Sequence, residues 1–348
     1  MRDVWFAIPG DLATPTGGYV YARRLMAALP ATGWRPHPLP LPAGFPHPSP
    51  DDLRRTCQAL ESLPPSSPVL VDGLAFGVLP RDRLDGMGHR WIALVHHPLA
   101  LETGLEPAAA ARLRASERGA LGAACAVIAT SEHTAGTLAE DYGVAAERLH
   151  VAVPGTDRAK RTKGGGTVPC LLSVATVTRR KAHDVLVQAL SRLPDLSWRC
   201  RIVGSLKREP ATAAEVAALI RASGLDGRVT LEGEIAAHDL EAAYRMADLF
   251  VLPSRHEGYG MAFAEAMARG LPVIACAIGA VPQTVPPNAG LLVASDDAEA
   301  LAAALRRAIA DEGLRRRLAD AAWAHGRTLP TWAETARDVA AALTAAST

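Results

Sequence analysis

The chain has 348 residues and is 49% apolar, which suffices for two domains, each with its own core. Its 37 Lys and Arg against 36 Asp and Glu leave a formal net charge of +1, so no strong field draws it to nucleic acid or to anionic lipid. Its apolar runs are too short to cross a bilayer, which takes about 20 residues, and the run at 4–8 is too short for a signal peptide.

The five cysteines, Cys57, Cys125, Cys170, Cys200 and Cys276, are odd in number and far apart. They read as buried, reduced thiols of a cytoplasmic protein, with no spacing that suits a metal.

In chain order, residues 4–8 read as a buried strand and 9–18 as a loop that includes Gly17 and Gly18. Taken alone, that pair is a flexible turn. From Tyr19 a helix follows with Leu25, Met26 and Leu29 on one face. The Pro-rich stretch 36–50 reads as a loop or extended piece, 51–60 as a helix with an acidic start, and 69–71 as the next strand. Asp72 ends that strand and is read as a turn residue in preference to a ligand contact.

Residues 91–95 form a strand that delivers His96 and His97 at its carboxyl end, where open parallel sheets bind ligands. Neighbours in an extended chain point opposite ways, so at most one of the two can face a ligand. The helix expected at 107–122 carries Arg112, Arg114 and Arg118, diluted by Glu106 and Glu117. Its charged side reads as a solvated face, with at most a weak peripheral membrane contact. After a strand at 126–129, Ser131 reads first as a helix N-cap.

Residues 154–169 are polar, with Lys160, Arg161, Lys163 and three consecutive glycines at 164–166, and read as an interdomain linker. Lys-Ser or Lys-Thr does not follow those glycines, which rules out a P-loop. A strand at 170–174 then runs into a loop with Arg179, Arg180 and Lys181, just ahead of a helix. Three cations at a strand's end and a helix's start suit a diphosphate, whereas a bare charge run would be solvated. Two more strands with turns follow, around 201–204 and 228–234.

The richest stretch is 248–275: a short apolar strand, a loop with Glu257, Gly258, Tyr259, Gly260 and Met261, a helix ending at Gly270, and a further strand. Gly258 and Gly260 let the backbone approach a ligand, and the helix start offers unpaired N–H groups to phosphate. Glu257 and Glu265, eight positions apart, can each accept hydrogen bonds from sugar hydroxyls. A lone glutamate in either place would merely be solvated.

Taken together, 254–270 resembles the Glu-x7-Glu signature of retaining GT-B glycosyltransferases of glycosyltransferase family 4, the group 1 type. The Glu-Gly-Tyr-Gly-Met start at Glu257, the Glu-Ala-Met-Ala-x-Gly helix end at Gly270 and the Pro-Val-Ile-Ala strand from Pro272 all match. The resemblance implies an α/β GT-B fold: two Rossmann-like domains with parallel sheets facing a central cleft. Residues 1–160 would bind the acceptor, 161–330 the nucleotide sugar, and a helix in 331–348 would pack back on the first domain.

It further implies a hexosyltransferase that moves sugar from a nucleotide diphosphate sugar to a sugar, lipid or small-molecule acceptor. The anomeric configuration would be retained, and neither a metal nor another cofactor would be needed. The family carries an Arg and a Lys in the loop after the second domain's first strand to hold the diphosphate. Lys181 matches the Lys; Thr176 stands where many members have the Arg, leaving Arg180 as the candidate replacement and the choice against Arg179 open. By the same resemblance, Glu257 positions the sugar, Glu265 the ribose, and His96 the sugar or acceptor. Gly17 and Gly18 would face the donor phosphates, Gly258, Tyr259, Gly260 and Met261 would form the donor loop, and Gln283 occupies the place of a usual acid. Two rivals are a nucleotide-sugar 2-epimerase on the same fold and a protein that binds the sugar nucleotide without transfer.

Overall fold

The structure, a computed structural model, describes residues 1–164 and 166–347. It divides into two compact units, Met1–Gly155 joined by the chain from Pro330 on, and Thr156–Leu329. Each is a parallel sheet covered by helices on both faces.

The first unit holds β1 (Arg2–Pro9), β2 (Trp34–Leu41), β3 (Pro68–Asp72), β4 (Arg90–Val95), β5 (Ala126–Ala129) and β6 (Leu149–Val151), in the order β2-β1-β3-β4-β5-β6. Its strands alternate strictly between two cores. Val4, Phe6, Ile8, Leu70, Ile92 and Leu94 enter one core; Ala7, Val69, Val71, Trp91, Ala93 and Val95 enter the other. Burial on both faces explains why these strands read as unbroken apolar runs.

The helix Trp332–Ala345 belongs to this unit, placing Ala336, Val339 and Leu343 in the core with Phe6, Tyr21 and Leu25. It begins with a reciprocal cap between Thr331 and Glu334, and the Thr335 hydroxyl donates to Val153 O at 2.7 Å.

One expectation is sharpened here and one changes. The stretch from Pro36, read as a loop or an extended piece, begins extended: Pro36, Pro38 and Pro40 lie in β2, opposite Val4, Phe6 and Ile8 of β1. A parallel edge strand sends alternate peptide groups to its only neighbour, so three prolines at every second position leave their missing N–H on the open side. Gly17 and Gly18 are not in the loop expected to hold them, because they open the helix Gly17–Ala28.

The second unit holds β7 (Cys170–Val174), β8 (Arg199–Val203), β9 (Val229–Gly233), β10 (Leu249–Leu252), β11 (Val273–Cys276) and β12 (Gly290–Val293), in the order β12-β11-β10-β7-β8-β9. Leu171, Leu249 and Val251 enter one core, Leu172, Phe250 and Leu252 the other. Sequence-first strand β7 lies beside β10, so the strand order reverses between them. In doubly wound sheets the loops at such a switch point diverge at their carboxyl ends and leave a crevice for ligand.

The polar stretch expected as a linker is tied to the second unit over its first part. Thr162 N–H donates to Arg269 O at 2.9 Å, and Arg158 to Gly326 O at 2.8 Å. Gly165 lies outside the described residues.

Candidate active site

The two loops at the switch point of the second unit carry most of the residues singled out from the sequence. After β7 the chain forms a 3-10 turn, Arg179–Lys181, and reverses through a left-handed Ala182, φ 53°, into the helix His183–Leu190. A non-glycine residue in that conformation costs on the order of 1 kcal/mol or more, a strain the surrounding contacts must hold. After β10 the loop 253–260 runs into the helix Met261–Met267 through Gly260, φ 93°, where a Cβ would stand 2.4 Å from the Phe263 ring. Only glycine fits there.

The loops meet at Glu257. Its Oε1 accepts from Lys181 Nζ at 2.6 Å and from the Ser254 hydroxyl at 2.6 Å, while Arg180 Nη1 lies 3.5 Å from Oε2. Arg180 also donates to His256 O at 2.9 Å. Glu257 is 5% exposed. Burial works to raise its pKa, but the charges of Lys181 and Arg180 overcome it and hold the carboxyl down at about 2. The result is an ionised carboxylate that aligns two cations at the carboxyl end of a parallel sheet.

Of the two arginines left open by the sequence, Arg180 is the one whose guanidinium reaches this cluster. Arg179 contributes its backbone, its N–H donating to Glu209 Oε2 at 2.9 Å. Behind the turn, His183 is fully buried with Nε2 3.3 Å from the Ser173 hydroxyl. Burial, with the Lys181 charge, pulls its pKa down to about 4, so it packs as a neutral ring at pH 7.

Gly258 and Tyr259 are buried beside the cluster, and the Tyr259 carbonyl accepts from the Thr284 hydroxyl at 2.6 Å. Burial pushes the Tyr259 phenol up to about 12. Met261 opens the helix, and Glu265 one turn on accepts from the Tyr244 hydroxyl at 3.2 Å. Tyr244 in turn lies under Arg269, with Cζ 4.3 Å from the ring centre. Gly279 packs so close to Glu257 that a Cβ would stand 2.3 Å from the Glu257 carbonyl oxygen, and its φ is 56°. Gln283 is exposed in the short helix Val281–Thr284.

The remaining candidates form a second group, at the carboxyl ends of β3 and β4 in the first unit. His96 Nε2 lies 3.6 Å from Asp72 Oδ2, and its ring meets Tyr21 edge-on at 5.3 Å. A Cβ on Gly18 would stand 3.5 Å from His96 Nε2; Gly17 precedes it at the helix start. Asp72 caps the following turn through Leu74 N–H at 2.9 Å, as expected, but its other oxygen is turned toward His96. His97 points elsewhere, toward Glu102 at 3.5 Å.

Glu117 departs from its expected place. The helix Pro107–Leu121 does show Arg112, Arg114 and Arg118 to solvent, but Glu117 is 1% exposed and its Oε2 accepts from Leu99 N–H at 2.9 Å. The spacing of Glu117, Ala120 and Leu121 marks one inward stripe, a signal that the charge masked. Burial outweighs the Leu99 hydrogen bond and pushes the carboxyl up to about 7. The cysteines also differ from expectation: all five are free, but Cys125 is exposed, and Cys57 and Cys170 are half-buried. No helix among the described residues is long and apolar enough to cross a membrane.

Sequence reasoning passed over Ser254, which shares Glu257 Oε1 with Lys181, and Arg255, which spans three loops. Ser254 was legible as the polar residue closing an apolar strand.

The family model "Glycosyl transferases group 1" matches residues 157–324. The D-inositol 3-phosphate glycosyltransferase of Xylanimonas cellulosilytica is 33% identical over 265 residues, covering 68% of this chain and 63% of that protein. Two other curated relatives are matched over 58% and 52% of their length, so the chain spans less than two thirds of these proteins. Among solved structures, sucrose-phosphate synthase from Thermosynechococcus elongatus superposes with a TM-score of 0.84 at 24% identity, over 97% of each chain. Anabaena Alr3699/HepE in complex with UDP and glucose gives 0.77 at 17% identity, over 99% of this chain and 100% of that one. With two parallel six-stranded α/β units of this topology, the fold is GT-B, and the chain belongs to the group 1 glycosyltransferase family.

Proposed function

We propose that this protein is a retaining, metal-independent glycosyltransferase of family 4 that moves a hexosyl group from a nucleotide diphosphate sugar to a sugar, lipid or small-molecule acceptor. The second unit takes the donor and the first unit the acceptor. One observation carries this: Lys181 and Arg180 converge on the buried Glu257 carboxylate, at the switch point of a doubly wound sheet. The solved Anabaena protein of the same fold holds UDP and glucose, which supports a nucleotide-sugar donor here.

When the bond between the sugar and the diphosphate breaks, negative charge grows on the departing phosphate. Lys181 and Arg180, already aligned by Glu257, oppose that charge without reorganising, and N–H groups at the start of Met261–Met267 add to the field. No protein nucleophile is assigned. Glu257 and Glu265 anchor hydroxyls of the sugar and ribose, and His96 serves the sugar or acceptor. Five free thiols, one of them exposed, support a reducing, cytoplasmic setting; recovery of the protein outside the cytoplasm on cell fractionation would count against it.

The test is incubation with a panel of UDP-, GDP- and ADP-linked sugars and candidate acceptors, with and without EDTA. Release of nucleoside diphosphate together with a glycoside of unchanged anomeric configuration by NMR is expected, and EDTA should leave the rate unaltered. An inverted product overturns the retaining assignment. An altered sugar with no transfer shows an epimerase, and tight binding without turnover shows a binding protein.

A further inference from the structure

Arg255, in the loop after β10, has a side chain that reaches three other segments. Its Nε donates to Asp296 Oδ1 at 2.7 Å, beyond β12. Its Nη1 and Nη2 grip the Asp184 carboxylate at 3.2 and 2.7 Å, in the first turn of His183–Leu190. Nη1 also donates to Arg179 O at 2.5 Å, and the Arg255 backbone N–H donates to Arg180 O at 2.7 Å. The Arg180 guanidinium returns the contact through His256 O, while Glu209 holds the Arg179 N–H.

An arginine paired on a surface contributes little, since water screens it and two long side chains must be ordered. This one is 20% exposed, bidentate to Asp184, and makes four hydrogen bonds to carboxylate and carbonyl acceptors. Such planar, charge-assisted contacts fix geometry as well as charge. What they fix is the backbone of the short turn from which Arg180 and Lys181 project.

We propose that Arg255 is a positioning residue, a clasp that holds the Arg179–Lys181 turn so that Arg180 and Lys181 meet the diphosphate as a preformed pair. The ligand half of this rests on the donor-binding function proposed above; the clasp itself does not. With the clasp in place, the two cations lose little freedom on binding, and a second phosphate gains the full benefit of both. Loosening the turn therefore weakens nucleoside diphosphates more than monophosphates.

Three full-length variants test this: Arg255→Gln, Arg255→Lys and Asp184→Asn. Without ligand, hydrogen–deuterium exchange of peptides covering 176–184 should quicken in Arg255→Gln and Asp184→Asn, with peptides of the first unit unchanged. Calorimetric titration with UDP, GDP and ADP and their monophosphates should show the diphosphate Kd rising about tenfold and the monophosphate Kd by less than about twofold. Arg255→Lys should recover only part, because an ammonium cannot span Asp184, Asp296 and the Arg179 carbonyl together.

Asp184→Asn separates position from charge. Deleting a carboxylate near an anion site tightens diphosphate binding if only the field matters, and weakens it if the clasp matters. Unchanged exchange at 176–184, tighter binding in Asp184→Asn, or equal losses for mono- and diphosphate would each overturn the proposal. Should the wild type bind none of the diphosphates, the donor function and the ligand half fall together, and exchange alone still decides the clasp.

Discussion

Removing the Lys181 ammonium should expose how strongly the Glu257 carboxylate depends on it. Glu257 is held at about 2 instead of the ordinary 4.5, a net preference for the charged form worth on the order of 3 kcal/mol after burial has taken its share. Lys181 at 2.6 Å and Arg180 at 3.5 Å supply that preference. At an effective dielectric of about 20 their attractions are of order 6 and 5 kcal/mol, so Lys181 provides about half before desolvation is subtracted. Lys181→Met should destabilise the second unit by about 3 kcal/mol at pH 7, because the carboxylate stays buried with one cation fewer.

Glu257→Gln leaves the two cations without their anion and should cost about 2 kcal/mol. The double variant should recover about 2 kcal/mol of the summed losses, since the buried carboxylate and the Lys181 ammonium leave together and only Arg180, which keeps its hydrogen bond to His256 O, has lost the anion. Urea titrations read by hydrogen exchange in peptides of β7 and β10 measure the three changes within the second unit. The pH dependence has a definite sign. A depressed carboxyl stabilises fully above its unfolded value, and that contribution disappears as pH falls from about 4.5 to about 2; in Lys181→Met this acid-side loss should shrink. Additive single costs, with coupling below about 0.5 kcal/mol, would refute the cluster as drawn.

Glu117 should behave in the opposite sense: a carboxyl raised to about 7 favours folding below its unfolded value near 4.5, and that contribution is lost as pH climbs through about 7. Glu117→Gln should therefore flatten the stability of the first unit between pH 5 and 8 and raise it at pH 8 by up to about 3 kcal/mol, and a calorimetric profile as steep as the wild type's would contradict this. Glu265→Ala should mainly raise the donor Kd, with Tyr244→Phe as a control for the lost Tyr244 hydrogen bond; unaltered nucleotide affinity by calorimetry counts against the ribose role. Gly279→Ala adds a Cβ 2.3 Å from the Glu257 carbonyl at φ 56°, and should cost at least about 2 kcal/mol in thermal denaturation and displace Glu257; a wild-type melt with full activity would show that the loop yields freely.

The donor side was legible because its signals are local. Arg180, Lys181 and the 254–270 stretch each announce a strand end, a turn and a helix start within a few residues, and alternating apolar strands announce the two sheets. What stayed hidden depends on distant partners. Strand order in the second unit, which brings the β7 and β10 loops together, is not written in either loop. The prolines of β2 left loop and extended piece both open, because their tolerance in a strand depends on that strand having a single neighbour. Glu117 read as solvated because its charge outweighed its helical phase, and Arg255 was passed over because Asp184 and Asp296 lie 71 and 41 positions away. The pairing of Asp72 with His96 likewise needed β3 beside β4.

The most direct measurement is a crystal structure of the protein grown with a nucleoside diphosphate chosen by titration. Its phosphate oxygens are predicted within about 3.2 Å of Lys181 Nζ and the Arg180 guanidinium, with the nucleotide lying over the start of Met261–Met267. A nucleotide seated away from Lys181 and Arg180, with the Glu257 cluster undisturbed, would contradict the proposed donor site.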